Sequence, residues 1–322
     1  MSLLSDFSAA TAPPVAVELA AGRVSAAAVE FRGGHAYIVA HASEPVPEGA
    51  IVSSLTNENI RDRATVRGVL AQVFDRIGGR PRRVGLIVPD PIAKVSLVRF
   101  EQVPNRAQDL DQLIRWQAKK AAPFPIEEAQ VSYGRGIQAL DGQEFVVSLA
   151  RRSIVEEYEQ ICSDLGAHAG IVDLSTFSVI NAVLAADALQ GTGPENADWL
   201  LVNVASDYAS IAIVRGPHLI FFRNRAADTD GTLADLVHQT AMYYEDRLGG
   251  AGFGRVVLAG AGASDDIEQV RRSLESRLTS RVHTIDPRAA AALPDRINAA
   301  RPLLETLTPL VGLLLREREV AA

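Results

Sequence analysis

Cysteine, lysine and long apolar runs are scarce in this chain of 322 residues, and each shortage removes a class of protein. The one cysteine, Cys162, excludes an internal disulfide and fits a reducing compartment; between Ile161 and Ser163 it reads as a small buried hydrophobe. Three lysines, Lys94, Lys119 and Lys120, stand against 29 arginines, so the compact ammonium that often holds phosphate is missing from the first 93 residues. No Gly-x-x-x-x-Gly-Lys-Ser/Thr segment occurs, which excludes a P-loop enzyme. The longest apolar stretch, 303–315, is broken by Glu305, Thr306, Thr308 and Pro309, short of the roughly 18 uninterrupted residues a membrane-spanning helix needs. The amino end lacks the basic start, apolar core and cleavage site of a signal peptide, so a cytoplasmic protein is expected. The six histidines are scattered without metal spacing, and neither a serine elbow nor a reactive cysteine setting is present, so no catalytic residue and no metal ligand is assigned.

What is present is ordinary globular material. With 48% hydrophobic and 22% charged residues the chain can bury a sizeable core, and its length suits two domains better than one. The net charge of −7 is spread without like-charge runs, which gives no footprint for nucleic acid.

Residues 15–19, 24–31 and 36–41 alternate like three short strands, with turns at 20–23 and 32–34. The same layout returns at 199–204, 208–214 and 218–223, which points to an internal duplication. In the first copy an amphipathic helix over 61–77 and a buried strand at 84–88 follow. In the second copy they are matched by a helix at 233–248, a strand at 255–258 and a helix at 265–278. Strands alternating with helices imply an α/β architecture. Residues 93–167 have no counterpart: strand 95–100, helix 107–121, strands 130–137 and 144–150 and helix 153–165 read as a small inserted α+β subdomain. A strand at 170–174 and a helix at 176–189 lead to Gly191-Thr192-Gly193-Pro194, a natural linker, so the expected domains are 1–194 and 195–322.

A doubled meander with crossover helices, and an insert only in the first copy, resembles the actin, chaperone and sugar-kinase superfamily, whose two domains are RNase H-like. The segment Trp116-Gln117-Ala118-Lys119-Lys120-Ala121-Ala122-Pro123-Phe124-Pro125-Ile126-Glu127-Glu128 is similar to the helix and Pro-Phe-Pro turn of the PilM family of type IV pilus assembly proteins, relatives of FtsA. Val172-Asp173-Leu174-Ser175-Thr176-Phe177, Ala241-Met242-Tyr243-Tyr244 and Leu310 to Arg316 extend the likeness over most of the chain.

The resemblance implies ATP with magnesium as the ligand of active relatives, held where an Asp-x-Gly turn of each meander wraps phosphate. Here those turns read Glu18-Leu19-Ala20-Ala21-Gly22-Arg23 and Asn203-Val204-Ala205-Ser206-Asp207. Both aspartates and both key glycines have changed, and Ala20 and Ala205 put a methyl where backbone would meet an anion. Ser25 stands where relatives often carry a lysine, which leaves Arg23 as the nearby cation. Gly260 and Gly262 resemble part of the adenosine loop. If nucleotide binds, Glu18, Gly22, Arg23, Asn203, Ser206, Gly260 and Gly262 would hold it, but the altered turns favour a degenerate ATPase with no cofactor. A further departure is the short stretch 225–231, where relatives insert a subdomain; Asp228 and Asp230 read there as turn and cap residues.

The resemblance further implies a cytoplasmic scaffold, peripheral at the inner membrane through the amino-terminal tail of a PilN-like protein, with a pilus motor ATPase as a further candidate partner and the oligomeric state open. The tail is expected in a groove between the first domain and its insert. Pro123 and Pro125 stiffen the turn that carries Phe124 and Ile126, so Trp116, Lys120, Pro123, Phe124, Pro125 and Ile126 are the partner-binding candidates. The related scaffold of type II secretion is a close variant; the alternatives are an actin-like ATPase with unusual phosphate ligands and a filament-forming protein.

Overall fold

The structure is a computed structural model that describes residues 13–191, 197–260, 267–278, 280–294 and 300–316. Three strands, β1 (Val15–Ala20), β2 (Arg23–Arg32) and β3 (His35–Pro45), form the first meander. Helix α1 (Arg63–Arg76) starts at Asp62, whose carboxylate accepts the Thr65 N–H, and buries Val66, Leu70, Val73 and Phe74. Strand β4 (Arg83–Val88) then enters beside β1 in parallel, and β8 (His168–Leu174) joins β4, giving the order β3-β2-β1-β4-β8. The central strand β1 is buried on both faces, with Glu18 as the single charged side chain in an otherwise apolar strand.

The second half repeats this plan. Strands β9 (Trp199–Val204), β10 (Tyr208–Arg215), β11 (His218–Ala226), β12 (Arg255–Gly260) and β13 (Val282–Thr284) pair in the order β11-β10-β9-β12-β13. Helix α5 (Leu233–Leu248) begins seven residues after β11 ends, and α6 (Ile267–Leu278) packs beside α5.

Between β4 and β8 lies a third, antiparallel sheet of β5 (Ala93–Phe100), β7 (Gly142–Arg151) and β6 (Ala129–Ala139), in the order β5-β7-β6. Helix α2 (Ala107–Lys119) covers one face, packing Leu110, Ile114 and Ala118 on Val131, Phe145, Val147 and Leu149. Helix α3 (Arg152–Ser163), which the sequence pattern assigns to this insert, lies on the other side of the sheet from α2, touching β7 and entering the main core. Its Ile154, Val155, Tyr158, Ile161 and Cys162 share the main core with α1 and the β4 side of the first sheet. The cluster packed under α2 thus draws on residues within 93–151, while Ala93, Val146 and Ala150 of the same stretch join α3 in the main core.

The carboxyl end packs on the first sheet. Helix α7 (Arg301–Leu315) buries Leu307, Leu310, Val311, Leu313 and Leu314 against Ala16, Ala27, Val29, Ile38 and Ile87 of the first sheet. The Ile38 N–H also donates to the Ala292 carbonyl, tying 287–292 to the edge of β3. Helix α7 crosses α4 (Ser175–Gln190), whose Phe177, Ile180 and Val183 share a core with Trp199, Leu201 and Ala212 of the second sheet. The crossing is close enough that a Cβ on Gly312 would overlap the Ser178 carbonyl. The expected domain boundary at residue 194 lies outside the described residues.

Candidate functional site

The β1–β2 and β9–β10 turns face one another across the interdomain cleft, and their tips are in contact. A Cβ built on Gly22 would stand 3.4 Å from Ser206 Oγ and 3.8 Å from Ser206 Cβ. Beneath the tips, Glu18 is 4% exposed and its carboxylate accepts hydrogen bonds from Arg23 Nε at 3.3 Å and Nη2 at 3.0 Å. The Glu18 carboxylate raises the Arg23 pKa above the ordinary arginine value, with burial opposing it. The one cation near the first turn is thus neutralised within its own hairpin. Ser25 is fully buried and bonded to Ser43 Oγ at 2.9 Å.

The second hairpin turns its polar groups across the cleft. Asn203 Nδ2 donates to Thr176 Oγ1 at 2.9 Å, and the Thr176 hydroxyl donates to the Asp90 carboxylate. Asp90 also accepts the Thr176 N–H at 3.0 Å, which satisfies a free amide in the first turn of α4, and the Ser210 hydroxyl at 2.6 Å. Asp90 is completely buried, and burial pushes its pKa up to about 6 in spite of these donors. Burial likewise holds the neighbouring Tyr208 phenol well above its usual pKa.

These residues do not fit magnesium-ATP as they stand. Ser206 stands against Gly22 where the two turns meet, the Glu18 carboxylate on the first turn is engaged by Arg23, and the Asn203 amide is engaged by Thr176. Gly260 has a structural reason to be glycine: at φ +74° it pairs with Val204, and a Cβ would overlap the Val204 carbonyl. Gly262 lies outside the described residues. Asp228 and Asp230 sit on the short loop before α5, where Arg225 Nη1 donates to the Asp230 and Gly231 carbonyls at 3.4 and 3.0 Å. Among the described residues no group of three or more His, Cys, Asp and Glu side chains is placed to hold a metal.

A second concavity lies where the third sheet leaves the first. A hollow of about 280 Å³ is walled by Gln130 and Ser132 of β6, Ser148 and Ala150 of β7, and residues 169–174 of β8, with Ile92, Val155 and Phe177 beneath. Both β6 and β8 are edge strands among the described sheets. Glu159 contributes a carboxylate to the lining, and the buried Arg316 Nη1 donates to Asp173 Oδ2 at 3.3 Å. Burial raises the Asp173 pKa, and Arg316 opposes that rise.

None of the six partner-binding candidates lines this hollow. They belong to the opposite, α2-covered face of the third sheet, because residues alternate across a strand: Val131 and Val147 face α2, while Ser132 and Ser148 face the hollow. Phe124 and Ile126 pack as partly buried members of the α2 core, and Arg151 lies 6.0 Å from the Phe124 ring centre. Pro123 and Pro125 are exposed around them. Trp116 is 60% exposed, with Lys120 Nζ 4.0 Å above its ring. The hollow's own residues carry little sequence signal, being serines and glutamine on alternating strands; Asp173 was visible only as part of the Val172-to-Phe177 motif.

The sequence matches the family model described as type IV pilus assembly protein PilM over residues 17–247. No curated protein matches it. Among solved structures, a chain of a PilM–PilN type IV pilus biogenesis complex superposes with a TM-score of 0.80 at 15% identity, covering 95% of this chain and 99% of that one. A Bacteroides thetaiotaomicron protein with an actin-like ATPase fold and unknown function gives a TM-score of 0.51 at 11% identity, over 89% and 95% of the two chains. Both likenesses establish an actin-like fold, and no described helix is long and apolar enough to cross a membrane. With the family model spanning most of its length, the chain belongs to the PilM family of type IV pilus assembly proteins.

Proposed function

We propose that this protein is an actin-like scaffold of the pilus inner-membrane complex that holds the amino-terminal tail of a PilN-like membrane protein and performs no ATP hydrolysis. The observation that carries the proposal is the hollow between the edge strands β6 and β8. An edge strand offers unpaired backbone N–H and C=O groups to an extended peptide, while a mixed wall of Val88, Ile92 and Phe177 beside Ser132 and Ser148 selects its side chains. A pilus complex solved with PilM and PilN together supports the choice of partner. Membrane attachment then comes through that partner. The Pro123–Ile126 turn acts from behind, by supporting the sheet that forms one wall, and the exposed Trp116 and Lys120 present a separate surface for a further partner such as the motor ATPase.

Calorimetric titration with the tail peptide of a PilN-like protein, and separately with magnesium-ATP, tests this directly. The peptide should bind and the nucleotide should give no heat; tight ATP binding would restore the ATPase alternative. Ser132→Trp, placed on an exposed position of the groove wall, should weaken the peptide at least about tenfold without lowering thermal stability. Trp116→Ala, on the other face, should leave the peptide affinity unchanged, and the reverse pattern would move the tail to the α2 surface.

A further inference from the structure

We infer that the buried network around Asp90 is an internal bolt, which holds the two domains closed without a nucleotide and makes the closed cleft the resting state of the protein. The network joins three segments distant in sequence. Asp90 follows β4, Thr176 opens α4, and Ser210 belongs to β10 of the other domain, 120 residues beyond Asp90. Asp90 and Ser210 are fully buried, so parting the domains would strand a carboxylate and two hydroxyls until water entered. Asn203, again from the second domain, completes the chain of donors by bonding Thr176.

Contacts at the rim act in the same direction. The turn tips meet at Gly22 and Ser206, the Ser53 hydroxyl donates to Asp207 Oδ2 at 2.6 Å, and at the far end of α4 Arg255 clasps Asp187 through two hydrogen bonds of 2.9 and 2.7 Å. Phe177 of α4 meets Phe222 of β11 edge-on, with ring centres 5.6 Å apart. In a cleft that closes on a ligand, phosphate oxygens would bridge such turns; here protein groups make every one of these links. The fold has kept the two-domain form and replaced its moving part by fixed side chains.

The tip contact provides the test. The Cβ separation of 3.8 Å at positions 22 and 206 matches that of a disulfide, and Gly22 does not have a positive φ that a cysteine would resist. The variant Gly22→Cys with Ser206→Cys should therefore cross-link readily under a mild oxidant, at a rate that magnesium-ATP does not alter. The native Cys162 is buried and its thiol is pushed up to about 12, so it does not compete. Thiols that stay free, or a cross-link that requires magnesium-ATP, would overturn the inference, since either result parts the tips in the resting protein. Hydrogen exchange on Ser210→Ala assigns the hold to the network without a new covalent bond. The Thr176 amide should exchange about tenfold faster while amides inside β2 keep their protection. Unchanged Thr176 exchange would show that the Asp90 network is not what holds the cleft shut.

Discussion

The two meanders place matching residues in matching registers and then use them differently. Glu18 stands opposite Ser25 in the first hairpin, and Asn203 stands opposite Ser210 in the second. In the first domain both polar groups are satisfied at home, Glu18 by Arg23 and Ser25 by Ser43. In the second domain both reach across, Asn203 to Thr176 and Ser210 to Asp90. A charged side chain that finds its partner within its own hairpin adds little to domain association. A neutral amide and a hydroxyl that find partners only in the other domain make association part of folding. The lesson is that polar groups at equivalent positions of two similar hairpins can be matched either locally or across the domains, and only the second kind ties the domains together.

The most severe way to break the comparison is to separate the crossed helices that follow the two sheets. Helix α7 approaches α4 through Gly312, where a Cβ would overlap the Ser178 carbonyl, a backbone atom with no freedom to swing aside. Gly312→Ala should cost at least about 3 kcal/mol, seen as a fall in the denaturation midpoint. Gly68, on the exposed side of α1 with nothing within 4 Å of its Cβ position, is the control; Gly68→Ala should raise stability by about 0.5–1 kcal/mol. Equal effects at the two glycines would mean that the α4–α7 crossing is looser than described.

A pH series isolates the charge on the cross-domain side. The folded-state pKa of Asp90 lies at about 6 against an ordinary 3.8, so folding favours its protonated form. That contribution is fully present below about pH 4 and is lost as the pH rises through 6. Asp90→Asn keeps an acceptor for the Thr176 N–H and offers its amide protons to the two hydroxyls. The variant should match the wild type at pH 4 and exceed it at pH 7, by up to about 3 kcal/mol. Urea titrations of both proteins at several pH values measure this, and parallel curves would show that Asp90 does not titrate in that window.

Exchanging the chemistry of the two hairpins has a somewhat smaller effect. Asn203→Asp removes the donor to Thr176 and places a second carboxylate in the buried space that Asp90 already occupies. A loss of about 2 kcal/mol at pH 7, diminishing as the pH falls, is expected from a buried group left without its partner. Equilibrium denaturation at pH 5 and pH 7 decides it; a loss that does not vary with pH would assign the effect to the missing hydrogen bond alone.

Much of this architecture is legible in the residues, and the exceptions share a cause. The meanders show because strand alternation is local, and the connection from β11 to α5 shows because it is counted directly in residues. The home of α7 does not show, since Pro309 and two threonines interrupt its apolar run and nothing local says that Leu307 and Leu310 will meet Ala16 and Ile38 nearly three hundred residues earlier. The surroundings of helix α3 are hidden for the same reason: its amphipathic spacing declares a buried face without naming the surface that buries it. In the candidate site the altered turn residues are evident, whereas Asp90 lies between Pro89 and Pro91 with nothing local to mark it. Its partners become partners through the pairing of whole domains. The groove residues Ser132 and Ser148 carry no chemical signature, and their position on the open face of a half-covered sheet emerges only from register.

Glu18→Gln gives the mildest perturbation and sharpens the comparison from the self-contained side. It removes the charge from the pair with Arg23 but keeps an oxygen that can accept from the same guanidinium. The Arg23 side chain is 32% exposed, so water can take over part of its solvation, and Glu305 lies near enough to act on it electrostatically. A loss below about 1 kcal/mol follows, in line with partly exposed ion pairs and well short of that expected for Asn203→Asp. The cleft should also stay closed, because no bond of this pair crosses it. Cross-linking of the Gly22→Cys and Ser206→Cys pair in the Glu18→Gln background should keep its rate. A slowed reaction would show that the Glu18–Arg23 pair holds the tip of its hairpin in place, and that the first domain shares in the closure after all.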